Sequence, residues 1–204
     1  MRLGIDFGTT RTRVAAAIRG NYPLITFRAG RDHALDWYPS LMAACGDRTA
    51  FGLRAQAVQY DPEWSLFRSF KRLLDGSHQD ATWTVGGVEL PMIEWLTRFL
   101  VALRLDLVHQ SSLEVSPRDR LEVMLGIPAH ANSNQRFLTL EAFQRAGFDV
   151  IGMLNEPSAA GIEYAHRYRR VDLSRRREHV AVYDLGGGTF DAAVICMAAS
   201  LCEP

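Results

Sequence analysis

Residues 3–18 read LGIDFGTTRTRVAAAI, two short apolar runs around a Gly-Thr-Thr turn. This pattern predicts a β-hairpin whose first strand ends at Asp6, at the turn. Residues 178–197, EHVAVYDLGGGTFDAAVICM, repeat the device: Asp184-Leu185-Gly186 stands where Asp6-Phe7-Gly8 stood, after an apolar strand and before a Gly/Thr turn and a second strand. One short match of this kind carries little weight. Its placement carries more, because one copy opens an α/β unit and the other follows that unit.

Between the hairpins the chain alternates. Residues 21–40 are rich in turn signals (NYPL, AGRD, WYPS). Residues 61–76, DPEWSLFRSFKRLLDG, predict a helix with Asp61 as N-cap, Pro62 in the first turn and Gly76 as terminator. Trp64, Phe67, Phe70 and Leu74 form its apolar stripe, with Lys71 at the edge. A second helix is expected from about Pro91 to Val108, with Met92, Leu96, Phe99, Leu103 and Leu107 on one face. RLEVMLGIP (120–128) reads as a central strand. NSNQRFLTLEAFQRAGF (132–148) is a helix capped at Asn132 or Ser133 and closed by Gly147, DVIGMLN (149–155) a strand, and EPSAAGIEYAHRYRR (156–170) a helix with Pro157 in its first position. Strands alternating with helices are the signature of an α/β layered domain.

The repeated turn suits a polyphosphate with a metal ion. Glycine lets backbone N–H groups approach phosphate oxygens and threonine adds a hydroxyl donor. An aspartate at a strand end accepts from water on a hard cation. Either hairpin alone reads as an ordinary glycine-rich turn with a local aspartate hydrogen bond; the pair favours phosphate. Rival phosphate devices are missing, since there is no G-x-x-x-x-G-K-[ST] and the Gly186-Gly187-Gly188-Thr189 turn lies between strands with no helix to open.

Acidic and basic residues balance at 23 each, so no overall basic field exists to hold nucleic acid. Cys45, Cys196 and Cys202 are odd in number, lack zinc or disulfide spacing, and read as reduced thiols. The six histidines show no metal-ligand spacing. The start MRLGID reaches an acid before an apolar run can form, and later apolar stretches are broken well short of a membrane span. A soluble, cytoplasmic protein with no membrane partner is expected. The six arginines between residues 167 and 177 read as a solvated helix end and linker.

The 23 basic residues comprise 22 arginines and one lysine, Lys71, in SFKRLLDG (69–76). Either chance left it there with its head in solvent, or the position needs a compact ammonium that a planar guanidinium cannot replace.

GIDFGTT (4–10), IPAHANSNQR (127–136), LNEPSAAGIEYA (154–165) and VYDLGGGTFDAAVI (182–195), in this order and spacing, resemble the nucleotide-binding domain of the seventy-kilodalton heat-shock chaperones, the DnaK family. The wider group of actin-like and sugar-kinase ATPases shares the first and last motifs; SFKRLLDG and IPAHANSNQR look like the chaperone branch. The resemblance implies a ribonuclease-H-like, actin-type α/β fold. Residues 1–28 and 117–176 would form the main subdomain of a first lobe, 29–116 an inserted smaller subdomain, and 177–204 the opening hairpin of a truncated second lobe. It further implies ATP or ADP with Mg2+. Asp6 and Asp184 would lie near the metal through water, and Gly8, Thr9 and Thr10 would form the first phosphate turn. Gly186, Gly187, Gly188 and Thr189 would form the second, with Thr189 also catalytic. Lys71 would reach the γ-phosphate and attacking water, and Glu156 and Asp184 would organise water and metal. Pro128 and Arg136 match positions tied to signalling toward a substrate domain, while His130, Ala131 and Arg11 depart from the pattern. Co-chaperones, a nucleotide-exchange factor and unfolded clients are the implied partners, with hydrolysis expected only when the second lobe is present. A non-catalytic phosphate-binding module and an actin-like or sugar-kinase relative are the alternatives.

Overall fold

The computed structural model describes residues 1–30, 33–74, 81–168, 178–186 and 190–197. Strands β1 (Arg2–Phe7) and β2 (Arg11–Ala16) form the expected opening hairpin, paired antiparallel so that Asp6 lies opposite Arg13. Alternation sends Leu3, Ile5, Phe7, Thr12, Val14 and Ala16 to one face, all buried, and leaves Gly4, Asp6, Arg11 and Arg13 on the other.

The turn-rich region folds into strand pieces: β3 (Phe27–Arg28), β4 (Ala34–Leu35) and β5 (Tyr38–Pro39), the last pairing with β2. It continues into β6 (Leu41–Cys45) and β7 (Arg48–Phe51), then the single-turn helix α1 (Leu53–Ala57). Gly52, with φ 57°, lies so close to the Tyr38 ring that a Cβ there would overlap it.

The expected helix over 61–76 is not formed. Asp61 accepts from the Glu63 N–H in a turn, β8 (Ser65–Arg68) pairs antiparallel with β6, and a 3-10 turn (Phe70–Leu74) carries Lys71. Ser69 at φ 56° breaks the backbone between strand and turn. The expected terminator Gly76 lies outside the described residues.

Strands β9 (Thr82–Val85) and β10 (Val88–Pro91) form a hairpin, followed by α2 (Met92–His109), which covers the sheet with the expected apolar face. Strand β11 (Glu122–Ile127) runs parallel to β1; α3 (Ser133–Arg145) then starts from Asn132, whose side chain accepts from the Gln135 N–H. Strand β12 (Asp149–Asn155) runs parallel to β11, and α4 (Glu156–Tyr168) follows without a break, Glu156 being its first residue. The main sheet has the order β12-β11-β1-β2-β5. Helices α2 and α3 bury one face; α4 lies over the other, beside β11 and β12. This is a mixed α/β architecture with a main core, in which Phe7, Phe70, Phe99 and Phe143 pack ring against ring, and a smaller separate cluster of Leu41, Ala43, Ala50 and Ala55.

The second hairpin is β13 (Glu178–Leu185) and β14 (Phe190–Met197), with Asp184 opposite Asp191. It packs on α4: a Cβ at Gly161 would lie 2.8 Å from Cδ1 of Ile195. Its outer face leaves Tyr183, Leu185, Phe190 and Val194 more than 60% exposed. Cys45 and Cys196 are free thiols, and Cys202 lies outside the described residues.

Candidate functional site

The two hairpin turns open onto one cleft of about 630 Å3. Asp6, Gly8, Thr9 and Thr10 line one wall, Asp184 and Gly186 another, and Lys71 and Glu156 a third. The structure therefore brings together every described residue that the sequence put forward for the site; Gly187, Gly188 and Thr189 lie outside the described residues. Pro128 also lines the cleft, whereas Arg136 donates to the carbonyl of Ala131 and the side chain of Asn155.

Each wall has a local cause. Gly8 turns tightly after β1, and a Cβ there would stand 2.3 Å from the carbonyl oxygen of Arg11. Only glycine fits this approach. Ser40, 3% exposed, donates from Oγ to the Gly8 carbonyl at 2.8 Å and lies 3.0 Å from the Thr12 hydroxyl. The main chain of the turn is thus tied from below to Ser40, the residue between β5 and β6.

Lys71 Nζ donates to Glu156 Oε1 at 3.1 Å, with the two side chains only 11% and 18% exposed. The ammonium also lies 5.7 Å from the Phe7 ring centroid, within cation–π range. It does not trail into solvent, as the bland reading of the lone lysine would have it. Burial pushes the Glu156 carboxyl above its ordinary value; Lys71 opposes the shift, and Asp6 and Asp184 add to it by repulsion. Asp6 is also raised, first by desolvation from the protein beneath it and then by Asp184, while Lys71 and Arg13 pull it back. His130 reaches Asp191 at 3.4 Å across the rim, joining the loop after β11 to the second hairpin. Asp191, Arg13, Arg72 and Gln135 also line the cleft and are not among the expected site residues. The register Asp6 opposite Arg13 and Asp184 opposite Asp191 was the available signal for two of these.

A raised Asp6 means that the charged carboxylate costs stability above its folded titration range. That cost disappears as pH falls through the range toward the unfolded value, because the folded state takes up the proton first. Asp6→Asn is accordingly expected to raise the melting temperature near neutral pH. The rise should be modest, about 1–2 °C, since cleft water screens the charge. The gain should shrink toward about pH 4. Melting curves across pH test this, and a lower melting temperature for the variant at neutral pH would refute it.

A family model described as Hsp70 protein matches residues 105–202. A chaperone protein HscA homolog of Bordetella petrii is 33% identical over 211 aligned residues, covering 96% of this chain and 32% of that protein. The chain belongs to the Hsp70 family. Chaperone protein DnaK of Thermoplasma volcanium is 30% identical over 196 residues, covering 95% of this Hsp70-family chain and 30% of its own length. Chaperone protein DnaK of Elusimicrobium minutum is 29% identical over 198 residues. The chain spans about a third of the length of these curated relatives. Among the described residues, no helix is long and apolar enough to cross a membrane.

Proposed function

We propose that this Hsp70-family chain binds ATP with magnesium in the cleft and takes part in its hydrolysis to ADP and phosphate, as the nucleotide-binding portion of a DnaK-type chaperone. The observation that carries the reading is the Lys71–Glu156 pair, facing Asp6 and Asp184 in a single cleft between two glycine-bearing turns.

In this reading the main-chain N–H groups around Gly8, Thr9 and Thr10 bind phosphate oxygens and Gly186 faces them from the second hairpin; the family resemblance assigns Gly187, Gly188 and Thr189, outside the described residues, to the same phosphate turn. Lys71 stabilises the negative charge that grows on the transferred phosphoryl group. Glu156 orients the attacking water, and its raised titration range makes it a stronger proton acceptor than an ordinary carboxylate. The bond from the γ-phosphorus to the bridging oxygen breaks as the water oxygen bonds to phosphorus, leaving ADP and phosphate.

The donor set fits magnesium held through its waters. Asp6 and Asp184 present hard oxygen donors whose mutual repulsion a dication relieves. Among the described residues no group of three or more His, Cys, Asp or Glu stands close enough to hold a metal directly. When bound, the ion would neutralise phosphate charge.

The division into a first lobe (1–28 and 117–176, with 29–116 inserted) and the start of a second (177–204) belongs to the same proposal. So do cytoplasmic placement and dealings with co-chaperones, an exchange factor and unfolded clients.

Calorimetric titration of the chain with ATP, with and without magnesium, tests the reading. Saturable binding strengthened by magnesium is the expected result. A folded chain that binds no ATP under either condition would remove the reading, whereas binding without turnover in a single-turnover assay would favour a nucleotide-holding module.

A further inference from the structure

Arg11 follows the Gly8-Thr9-Thr10 turn and lies on the open face of β2, at the wall of the cleft. Its guanidinium is stacked over the Trp37 ring, 4.9 Å from the centroid. Trp37 is half-buried, and the residues that follow it, Tyr38 and Pro39, are buried in β5, so the platform under the guanidinium is fixed to the sheet. Arg72, which lines the same cleft, likewise forms no ion pair among the described residues but has no aromatic platform beneath it there, whereas two other cations face carboxylates. Lys71 pairs with Glu156, and Arg13 stands opposite Asp6 and draws its titration down. Among the described residues, Arg11 forms no ion pair with any carboxylate.

An arginine held over an indole, with no carboxylate paired to its fork of N–H donors among the described residues and a cleft in front of it, is a preorganised anion anchor. The planar guanidinium matches phosphate oxygens in pairs, and stacking reduces the rotamer freedom lost on binding. We propose that Arg11, held on Trp37, is a side-chain anchor for the polyphosphate, so that affinity rises with the number of phosphate groups in the ligand. This rests on the cleft being a phosphate site, as set out above, and adds to the main-chain cradle of the turn a contact that discriminates by charge.

The test uses the whole chain with ATP, inorganic tripolyphosphate and orthophosphate as probes, by calorimetry and by tryptophan emission. Wild type is expected to bind tripolyphosphate with a change in emission that Trp37→Phe abolishes, although three other tryptophans remain of the four in the chain. Arg11→Ala should weaken tripolyphosphate and ATP by about tenfold, the scale of one charge-assisted hydrogen bond, and orthophosphate by less than about twofold. Arg11→Lys should recover part of the loss. If Arg11→Ala does not fold, Arg11→Gln, close in length and polarity, is read in the same way. Wild type binding ATP while the Arg11 variants bind tripolyphosphate as tightly as wild type would overturn the anchor alone. Wild type binding neither ATP nor tripolyphosphate would overturn the phosphate site and the anchor together.

Discussion

Lys71→Ala is expected to lower single-turnover ATP hydrolysis, measured with the second lobe present, by about 100- to 1,000-fold, the usual cost of removing one preorganised donor aimed at developing charge. The expectation follows from where the ammonium is held: 3.1 Å from Glu156, over the Phe7 ring, in the cleft that Asp6 and Asp184 also line. Lys71→Arg should keep most of the affinity for ATP and lose most of the rate. The guanidinium retains the charge but spreads it over a broad plane where a compact ammonium now sits against Glu156 and the Phe7 ring. Removing Lys71 also leaves Glu156 without the group that counters its burial, so its carboxyl should titrate higher still. That costs stability at neutral pH, on the order of 1–3 kcal/mol for a partly buried pair. The rate effect and the stability effect separate in the double variant Lys71→Ala with Glu156→Gln. Removing the stranded charge should restore melting temperature but not turnover. Turnover by Lys71→Ala at the wild-type rate would sink the role given to the lysine, whatever the melting curves show.

What could be read in advance depended on how local the determinants were. The opening hairpin was legible because Leu3, Ile5 and Phe7 alternate with polar or small residues and the partner strand follows within a few positions. The run from β11 to α4 was legible for the same reason, with Asn132 capping α3 as its position before the apolar-periodic run suggests. The stretch around Lys71 was misread because its aromatics fall at spacings a helix would use. Phe67 instead packs on Trp83, and Phe70 turns into the core against Phe7 and Phe99. What overrides the period is β6, which pairs with β8 from Leu41 opposite Arg68 to Ala44 opposite Ser65, and whose Leu41, Met42, Ala43 and Ala44 are all buried and so show no alternation. A strand buried on both faces has no two-residue signature to read. The site was legible as motif residues, Asp6, Lys71, Glu156 and Asp184, but not as a mechanical object. Ser40 beneath Gly8 and Trp37 beneath Arg11 are joined to the turn by tertiary contacts alone.

Those same contacts make the core and the cleft one system, and Phe99→Ala is expected to damage both. The Phe99 ring is fully buried and lies 5.9 Å from Phe7, 5.2 Å from Phe70 and 5.8 Å from Tyr38, centroid to centroid. Truncating such a ring costs about 3–5 kcal/mol through lost transfer energy and the cavity left behind. At about 2–4 °C per kcal/mol for a chain of this size, the melting temperature should fall by roughly 6–20 °C. Phe137→Ala, on α3 but 47% exposed, should shift stability by less than about 0.5 kcal/mol and serves as the control. The functional consequence follows from the neighbours. Phe7 supports the Lys71 ammonium and ends the strand that leads into Gly8, and Phe70 directly precedes Lys71. With Phe99 gone, both rings can relax toward the cavity, so ATP affinity should fall even below the melting transition. If the variant melted within about 2 °C of wild type, Phe99 would not be the joint between the packed face of the sheet and the 3-10 turn. If it melted early but bound ATP unchanged, the core and the cleft would be mechanically independent despite their shared rings.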